Sequence, residues 1–344
     1  MTSRSLPLID FRSDTVTRPD DVMRQAMADA EVGDNVLDGD PTIGALEQRA
    51  ANLLGMPAAL WTPSGTMANL IALSSHLQRG DRFLAPRGAH VITDELGSAA
   101  WLAGGMPEPL EHDGGPGRPT PETLSAAIGN PRGPYYALHT PLLCLENTHN
   151  SAGGAVTPPD EHARLVAVAK EAGLTVHLDG ARLWHAAVAL EVPPAALTAG
   201  VDTVSACFSK GLGAPVGSVV AGSPEFVEKA RRMRQMLGGG IRQGGVLAAA
   251  CMVALDRVGD LAETHENAAR LAAGLAEHGW EVNIPETNIV QVTAPDLEER
   301  LAWLTGLGVR TLPSSGRIRF VTHRDLSAAD IEETLHRIET GGRT

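Results

Sequence analysis

The stretch DTVSACFSKGLGAPVG, residues 202–217, ends a predicted strand with a lysine. Val204, Ala206 and Phe208 alternate with small or polar residues, and this alternation predicts a buried β-strand. Lys210 follows the strand and is itself followed by glycines. Burial removes the hydration of an ammonium group and favours the neutral amine, which can form a Schiff base with a carbonyl carbon. The stretch therefore predicts both a core strand and a reactive amine.

Position alone leaves two interpretations of Lys210 open. A lysine at the end of a strand commonly extends its ammonium group into water, and this is the ordinary structural interpretation. Gly211, Gly213 and Gly217 favour the chemical interpretation, because they leave room for a planar group beside the amine.

Two further segments have the same form as this strand. PLLCLENTHN (141–150) and LTVHLDGAR (174–182) are apolar runs that end in polar residues, and the segment 160–173 between them has helical spacing. Strands that alternate with helices predict an α/β fold with a mainly parallel sheet flanked by helices. Ligands bind at the carboxyl ends of the strands in such a sheet. The side chains expected to converge there are Glu146, Asn147, Asp179, Arg182, Ser209 and Lys210.

The length of 344 residues is enough for about two domains. We expect an N-terminal segment and a large domain over residues 1–255, and a small α+β domain over residues 256–344. Helical spacing from residue 243 to about Trp280 predicts a long helical stretch across this boundary. The strands NIVQVTA and RIRFVTH are each followed by a helical segment, and SAAD before the last helix resembles a capping box.

Composition and motifs exclude several function classes. The net charge of −13 argues against a nucleic-acid surface, which needs clustered lysines and arginines. No apolar run approaches the roughly 18 residues of a membrane span, and no secretion signal is evident. Three cysteines without a C-x-x-C pair fit core packing, so we expect a cytoplasmic protein. Dinucleotide-binding, P-loop and serine-hydrolase motifs do not occur, and HLD alone does not predict a metal site.

Asp179 and the turn TPSGTMAN each allow a structural and a chemical interpretation. Asp179 could form a salt bridge with Arg182, or accept a hydrogen bond from a protonated pyridine nitrogen such as that of pyridoxal phosphate (PLP). The turn could cap a helix through Ser64 or Thr62, or offer free backbone N–H groups to a phosphate.

His90 and two arginines near the C-terminus allow the same choice. His90 could be an ordinary packed residue, or could stack on a cofactor and move protons. Arg317 and Arg319 share one face of a predicted strand, where they could form surface salt bridges or clamp a carboxylate through two hydrogen bonds.

Taken in order, these motifs resemble those of low-specificity L-threonine aldolases. The matching segments span nearly the whole chain and are DFRSDTVTRPDDVMRQAM, EVGDNVLDGDPT, TPSGTMANL, LCLENTHNSAGG, HLDGARLWHA, FSKGLGAPVGS, RQMLGGGIRQGGVLAAA and RFVTH. The resemblance implies a PLP-dependent enzyme with the aspartate-aminotransferase fold (PLP fold type I), in the β-eliminating lyase superfamily. It also implies a homotetramer with active sites at subunit interfaces.

The resemblance implies a role for each matching residue. Lys210 is similar to the lysine that holds PLP as a Schiff base, and Asp179 to the partner of the pyridine nitrogen. His90 is similar to the histidine that stacks on the ring, and these three are the expected catalytic residues. The other implied groups are Gly65 and Thr66 at the phosphate, Arg242 at the phosphate of a neighbouring subunit, and Ser13, Arg182 and Arg319 at the substrate carboxylate, with Arg182 also beside the cofactor.

Four positions depart from the pattern of that family. Leu37 replaces a tyrosine, and Asp94 replaces an aromatic residue. Tyr136 stands at the position of a second active-site histidine, so we expect it to contact the substrate. Gln235 replaces a lysine that helps to bind phosphate across the subunit interface. These departures leave the preferred side chain of the substrate open.

The implied activity is retro-aldol cleavage of L-β-hydroxy-α-amino acids, such as L-threonine, L-allo-threonine or phenylserine, to glycine and an aldehyde. Another PLP reaction on the same fold, β-elimination or transamination, is the alternative. A protein that binds PLP without catalysis is a third reading, and the presence of Lys210, Asp179 and the arginines argues against it.

Overall fold

The computed structural model describes residues 6–129 and 134–341. Its helices are α1 (Asp21–Ala28), α2 (Pro41–Leu53), α3 (Gly65–His76), α4 (His90–Thr93), α5 (Ser98–Trp101), α6 (Pro121–Ile128), α7 (Pro159–Glu171), α8 (Leu183–Ala189), α9 (Pro194–Leu197), α10 (Pro224–Met236), α11 (Gly245–Leu255), α12 (Leu261–Glu277), α13 (Leu297–Gly306) and α14 (Ala328–Thr340). Its strands are β1 (Ile9–Asp10), β2 (Ala58–Thr62), β3 (Arg82–Pro86), β4 (Met106–Leu110), β5 (Leu142–Glu146), β6 (Thr175–Gly180), β7 (Thr203–Cys207), β8 (Ser218–Gly222), β9 (Glu281–Val282), β10 (Ile289–Thr293), β11 (Val309–Arg310), β12 (Leu312–Ser314) and β13 (Arg317–Val321). Within the described ranges, no helix combines the length and apolar character that a membrane crossing requires.

A seven-stranded sheet forms the centre of the larger part of the molecule. Its strand order is β2-β8-β7-β6-β5-β3-β4, and β8 runs antiparallel to both of its neighbours. The pairs between β7 and β4 are all parallel. Every residue of β5, β7 and β8 is buried, as expected for strands covered on both faces. The predicted α/β fold with a mainly parallel sheet is confirmed.

Local sequence signals explain where the helices around this sheet begin. Ser64 caps α3 by accepting the amide of Met67 at 3.2 Å, which decides between the two predicted caps. Helices α2 and α10 each have proline in the first turn, where its missing N–H costs nothing. The predicted capping box before α14 is present between Ser327 and Asp330.

A second, smaller core lies around the four-stranded antiparallel sheet β12-β13-β10-β9. Helices α12 and α14 pack against each other beside it. Strand β1 pairs in parallel with β11, and Ile9 and Phe11 are buried in this core. Ile9 and Phe11 of the N-terminal segment, which the sequence assigns to the large domain, therefore pack on the small unit. The division between residues 255 and 256 stays a prediction.

Candidate active site

The carboxyl ends of β5, β6 and β7 bring the predicted polar residues together. Glu146 lies opposite Asp179 in the register of β5 and β6, and Asp179 lies opposite Ser205 of β7. Lys210 follows β7 and is half-buried, and its backbone oxygen accepts a hydrogen bond from Thr17 Oγ1 at 3.2 Å. Among the described residues, Nζ of Lys210 has no hydrogen bond or ion pair, so the amine is available to a ligand.

Asp179 is buried and held by two donors. Asn69 Nδ2 in α3 donates to Oδ2 at 2.8 Å, and the amide of Ala181 donates to Oδ1 at 3.0 Å. Burial acts to raise the pKa of Asp179, but the charges of His90 and Lys210 outweigh it and hold the pKa below its usual value. The carboxyl group is therefore an ionised acceptor.

The salt bridge from Asp179 to Arg182, one of the two interpretations of the sequence, is wrong. Arg182 turns instead to Asp14 near the N-terminus, where its Nε and Nη2 donate to the two carboxylate oxygens at 2.8 and 2.7 Å. This leaves Asp179 without a guanidinium partner and free to receive a cationic ring.

His90 stands at the start of α4, beside Asp179. Its Nδ1 lies 2.9 Å from Oε1 of the buried Glu95, and its amide donates to Glu146 Oε2 at 2.7 Å. Burial acts to lower the pKa of His90, but the hydrogen bond to Glu95 outweighs it and raises the pKa. Because Glu95 takes Nδ1, the other ring nitrogen, Nε2, is left for proton transfer.

Two residues of this group were missed by the sequence reasoning. Asn69 joins the two acids, since its Nδ2 donates to Glu95 Oε1 and to Asp179 Oδ2 at 2.8 Å each. Burial raises the pKa of Glu95. One ring nitrogen of His90 and one carboxylate oxygen each of Glu95 and Asp179 lie within 4.8 Å of one another. Its position five residues after His90 could have identified Glu95 as a partner of that histidine. No local sequence pattern indicated a role for Asn69.

Arg319 of β13 lies near Arg182 and is also buried. Arg182 Nη1 and Arg319 Nη2 both donate to Oδ1 of Asn150, at 2.9 Å each. In the described part of the chain, Arg319 has no carboxylate partner within salt-bridge distance, and its Nε is buried without a hydrogen bond. Burial and the charge of Arg182 lower the pKa of Arg319 to about 10. A buried cation without a counter-ion fits an incoming carboxylate.

Ser13 and the start of α3 complete the expected set. Ser13 Oγ lies 3.4 Å from Asp14 Oδ1, next to the Arg182 pair. The amides of Gly65 and Thr66 are in the first turn of α3, where helical N–H groups have no intrahelical partner. A Cβ on Gly65 would lie 2.7 Å from Sγ of Cys207, so only glycine allows α3 to start this close to β7.

Several predicted residues are not brought to this site by the single chain. Arg242 is exposed and pairs with Asp34 at 3.2 Å. Gln235 is exposed, and Leu37 is 80 % exposed. Tyr136 is 77 % exposed and precedes β5, so it lies at the amino end of that strand, whereas Lys210 and Asp179 lie at the carboxyl end. A contact of Tyr136 with the substrate of its own chain is therefore not supported, because the sheet separates them.

Three other predicted positions have modest roles in this structure. Asn147 uses its amide to donate to Thr157 O at 2.9 Å, so it stabilises a turn. Arg317 is exposed and contacts Gln291 Oε1 at 3.5 Å, although it shares a strand with Arg319. Asp94 is exposed, and its charge acts on Arg319, which places it on the same side of the site as that arginine.

The donor and acceptor set fits pyridoxal phosphate. Asp179 supplies a buried, ionised acceptor for a pyridinium N–H, and Lys210 supplies an amine that has no partner within the described part of the chain. The first turn of α3 supplies free amides to a phosphate. The unpartnered Nε of Arg319 then fits the carboxylate of an amino acid beside the cofactor.

The chain is similar to known proteins in sequence and in fold. The sequence model of the β-eliminating lyases matches residues 10–296. The chain is 42% identical to the probable low-specificity L-threonine aldolase 2 of Arabidopsis thaliana over 97% of both chains. It is 40% identical to the low specificity L-threonine aldolase of Escherichia coli K12, over 95% of this chain and 97% of the other. The fold superposes on the threonine aldolase of Leishmania major with a TM-score of 0.80 and 20% identity, covering 96% of this chain and 98% of the other.

Proposed function

Because the chain belongs to the β-eliminating lyase family, with low-specificity L-threonine aldolases among its relatives, we propose that it cleaves L-β-hydroxy-α-amino acids to glycine and an aldehyde. The resemblance to these aldolases, the lyase class and the dependence on PLP are confirmed by the family and its relatives. Threonine is the expected type substrate.

The observation that carries this proposal is the convergence of two buried arginines beside a buried aspartate and an unpartnered lysine. Arg182 and Arg319 meet at one oxygen of Asn150, and Nε of Arg319, which is buried without a hydrogen bond among the described residues, can donate to an incoming carboxylate. Such a clamp fixes the rotation of the substrate about its Cα, and rotation decides which bond to Cα is aligned for cleavage.

The residues that would hold the cofactor are Lys210, Asp179, His90, Gly65 and Thr66. Bound PLP supplies an electron sink for the bond that breaks. Lys210 would hold the cofactor through its amine, and Asp179, whose own pKa is held low, would keep the ring nitrogen protonated. His90 would pack against the ring, and the free amides at the start of α3 would receive the phosphate.

The proton of the substrate β-hydroxyl goes to His90 in this proposal, directly or through a water. The bond between Nδ1 and Glu95 leaves Nε2 as the nitrogen that accepts it. The negative charge of Glu95 stabilises the imidazolium that forms, and Asn69 fixes Glu95 in place. The same histidine can then deliver a proton during later steps.

A direct assay separates this activity from the alternatives. Purified protein with added PLP is incubated with L-threonine, L-allo-threonine and both diastereomers of phenylserine. Glycine and an aldehyde in equal amounts support the proposal. A 2-oxo acid with ammonia, or dependence on an amino acceptor, would support β-elimination or transamination, which the relatives do not favour. The proposed activity would be overturned if none of the four substrates released glycine.

Assembly and location belong to the same proposal. We expect a homotetramer in which Arg242 of one subunit reaches the phosphate site of another, since Arg242 is exposed on its own chain. Tyr136 would then contact the substrate of a neighbouring subunit, because it is exposed and remote from the site of its own chain. A cytoplasmic location stays a prediction.

A further inference from the structure

The carboxylate of Glu146 holds two backbone amides of the site at once. Its Oε2 accepts the amide of His90 at 2.7 Å, and its Oε1 accepts the amide of Asn150 at 2.7 Å. Glu146 is buried, and burial together with the charge of Asp179 raises its pKa above the usual value. A buried acid next to another acid is costly, so its two strong hydrogen bonds need a reason beyond stability.

The side chain of Asn150 continues this connection to the arginines. One atom, Oδ1, accepts Nη1 of Arg182 and Nη2 of Arg319 at 2.9 Å each. A neutral oxygen between two buried guanidinium groups holds them together without cancelling their charge. The remaining donors of Arg319 keep their attraction for an anion, because no carboxylate among the described residues neutralises them.

We propose that Asn150 and Glu146 are positioning residues for substrate binding. Asn150 Oδ1 sets the spacing of the two arginines, and Glu146 fixes the backbone amides of Asn150 and His90 relative to each other. This inference rests on the proposed function, because it assigns Arg319 and Arg182 to the substrate carboxylate. It explains why the residue between the arginines is an amide and not an acid.

The matched pair Asn150→Asp and Asn150→Ala tests the first half. Aspartate has the same shape but places a fixed negative charge between the arginines, where it competes electrostatically with the ligand carboxylate. Glycine and methylamine are the probes, since they differ by a carboxylate, and calorimetry on the PLP-loaded protein measures their dissociation constants. We expect Asn150→Asp to weaken glycine by roughly 10- to 100-fold, the range for a lost charged hydrogen bond, and to leave methylamine unchanged within about threefold.

Melting temperatures distinguish positioning from structural support. Asn150→Asp creates an internal ion pair, so we expect an unchanged or higher melting temperature together with weaker glycine binding. Asn150→Ala removes both hydrogen bonds and should lower the melting temperature while weakening glycine less than Asn150→Asp does. The proposal would be overturned if the affinities for glycine and methylamine fell equally. It would also be overturned if the loss of glycine affinity paralleled the loss of melting temperature in both variants.

Glu146→Gln tests the second half. A glutamine presents one oxygen and one NH2 group, so either the amide of His90 or that of Asn150 loses its acceptor. We expect kcat to fall and KM to rise, each by roughly tenfold, because the positions of both His90 and Asn150 become less well fixed. The control is Glu286→Gln, whose carboxylate also accepts a backbone amide, that of Val156 at 2.9 Å, outside this site. Unchanged kcat and KM in a folded Glu146→Gln protein would contradict the proposal.

The binding experiments keep the two levels of inference apart. A wild-type protein that cleaves none of the β-hydroxy amino acids, yet loses glycine binding on Asn150→Asp, would disprove the proposed function and support the positioning role. A wild-type protein that cleaves them, with glycine binding unaffected by Asn150→Asp, would disprove only the positioning role.

Discussion

Arg182 donates from Nε and Nη2 to the two carboxylate oxygens of Asp14, at 2.8 and 2.7 Å, and both side chains are buried. The pair joins the N-terminal segment to the start of α8. The charge and hydrogen bonds of Arg182 hold the pKa of Asp14 far below its usual value, although burial opposes this. The carboxyl group of Asp14 therefore stays ionised at acidities that protonate an ordinary aspartate.

Breaking this pair should destabilise the protein strongly. Asp14→Asn leaves the charge of Arg182 buried without compensation, so we expect a loss of about 3–5 kcal/mol in the free energy of unfolding, measured by urea titration. Asp10→Asn is the matched control, because Asp10 pairs with Arg12 in a more exposed place, and we expect less than about 1 kcal/mol there. Equal effects of the two changes would contradict this assignment.

The chain contains three lysines, Lys170, Lys210 and Lys229, so the cofactor linkage can be mapped without ambiguity. Reduction of the PLP-loaded protein with borohydride should fix the cofactor on the peptide that contains Lys210, as read by mass spectrometry. Lys210→Ala should lose the visible absorption band of the linked cofactor and nearly all turnover. Lys170→Ala should keep both, since Lys170 is partly exposed and pairs with Asp202. Label on another lysine would refute the role of Lys210.

Replacing Glu95 should change the pH dependence of catalysis. The hydrogen bond to Glu95 raises the pKa of His90, so Glu95→Gln should lower that pKa. A base acts in its neutral form, and the acidic limb of kcat/KM should therefore move to lower pH. We also expect kcat to fall roughly 10- to 100-fold, because the imidazolium loses its counter-charge. Glu111→Gln, an exposed acid paired with Arg87, is the control. An unmoved acidic limb would show that His90 is not the base.

Buried neutral histidines should make the fold sensitive to acid. His162 in α7 is buried, and burial alone lowers its pKa from 6.5 to about 4. The unfolded chain therefore binds more protons than the folded chain between these values, and stability falls as the pH drops through that window. His162→Leu should reduce this loss by up to about 1.4 kcal/mol per pH unit. The exposed His336→Leu is the control, and an identical pH slope in both variants would contradict the explanation.

The strands of the large sheet were predictable because a buried strand is marked locally by a run of apolar residues. Strands β5, β6 and β7 are short apolar runs that end in polar residues, and those residues meet as expected. The reversed direction of β8 follows from its connection. The segment 208–217 contains no helix, and a parallel crossover usually needs a dozen or more residues with one.

The helical stretch from residue 243 to about Trp280 was predicted as continuous, and the structure divides it. Helix α11 ends at Leu255, a 3-10 turn covers Val258–Asp260, and α12 begins at Leu261. The interruption coincides with Gly259, whose low helix propensity ends the regular spacing. Apolar residues continue across it because α11 is buried on most of its circumference and α12 is buried on one side.

The site was only partly predictable because several of its contacts join distant segments. Lys210, Asp179 and His90 were named from the sequence, and the structure places His90 and Lys210 near enough for their charges to act on Asp179. Asn69, Asp14 and Glu95 were not named, since their roles depend on partners far away in the chain or across a turn. Arg182 was placed beside Asp179 by sequence proximity, but α8 carries it to Asp14.

The pairing of β1 with β11 has a consequence for biosynthesis. Ile9 finds its partner Val309 three hundred residues later, and Arg337 Nη1 donates to Pro7 O at 2.8 Å. During translation the amino-terminal strand must wait until almost the whole polypeptide has left the ribosome before it can dock. The segment that contains β1 and Asp14 therefore takes its final place late in synthesis.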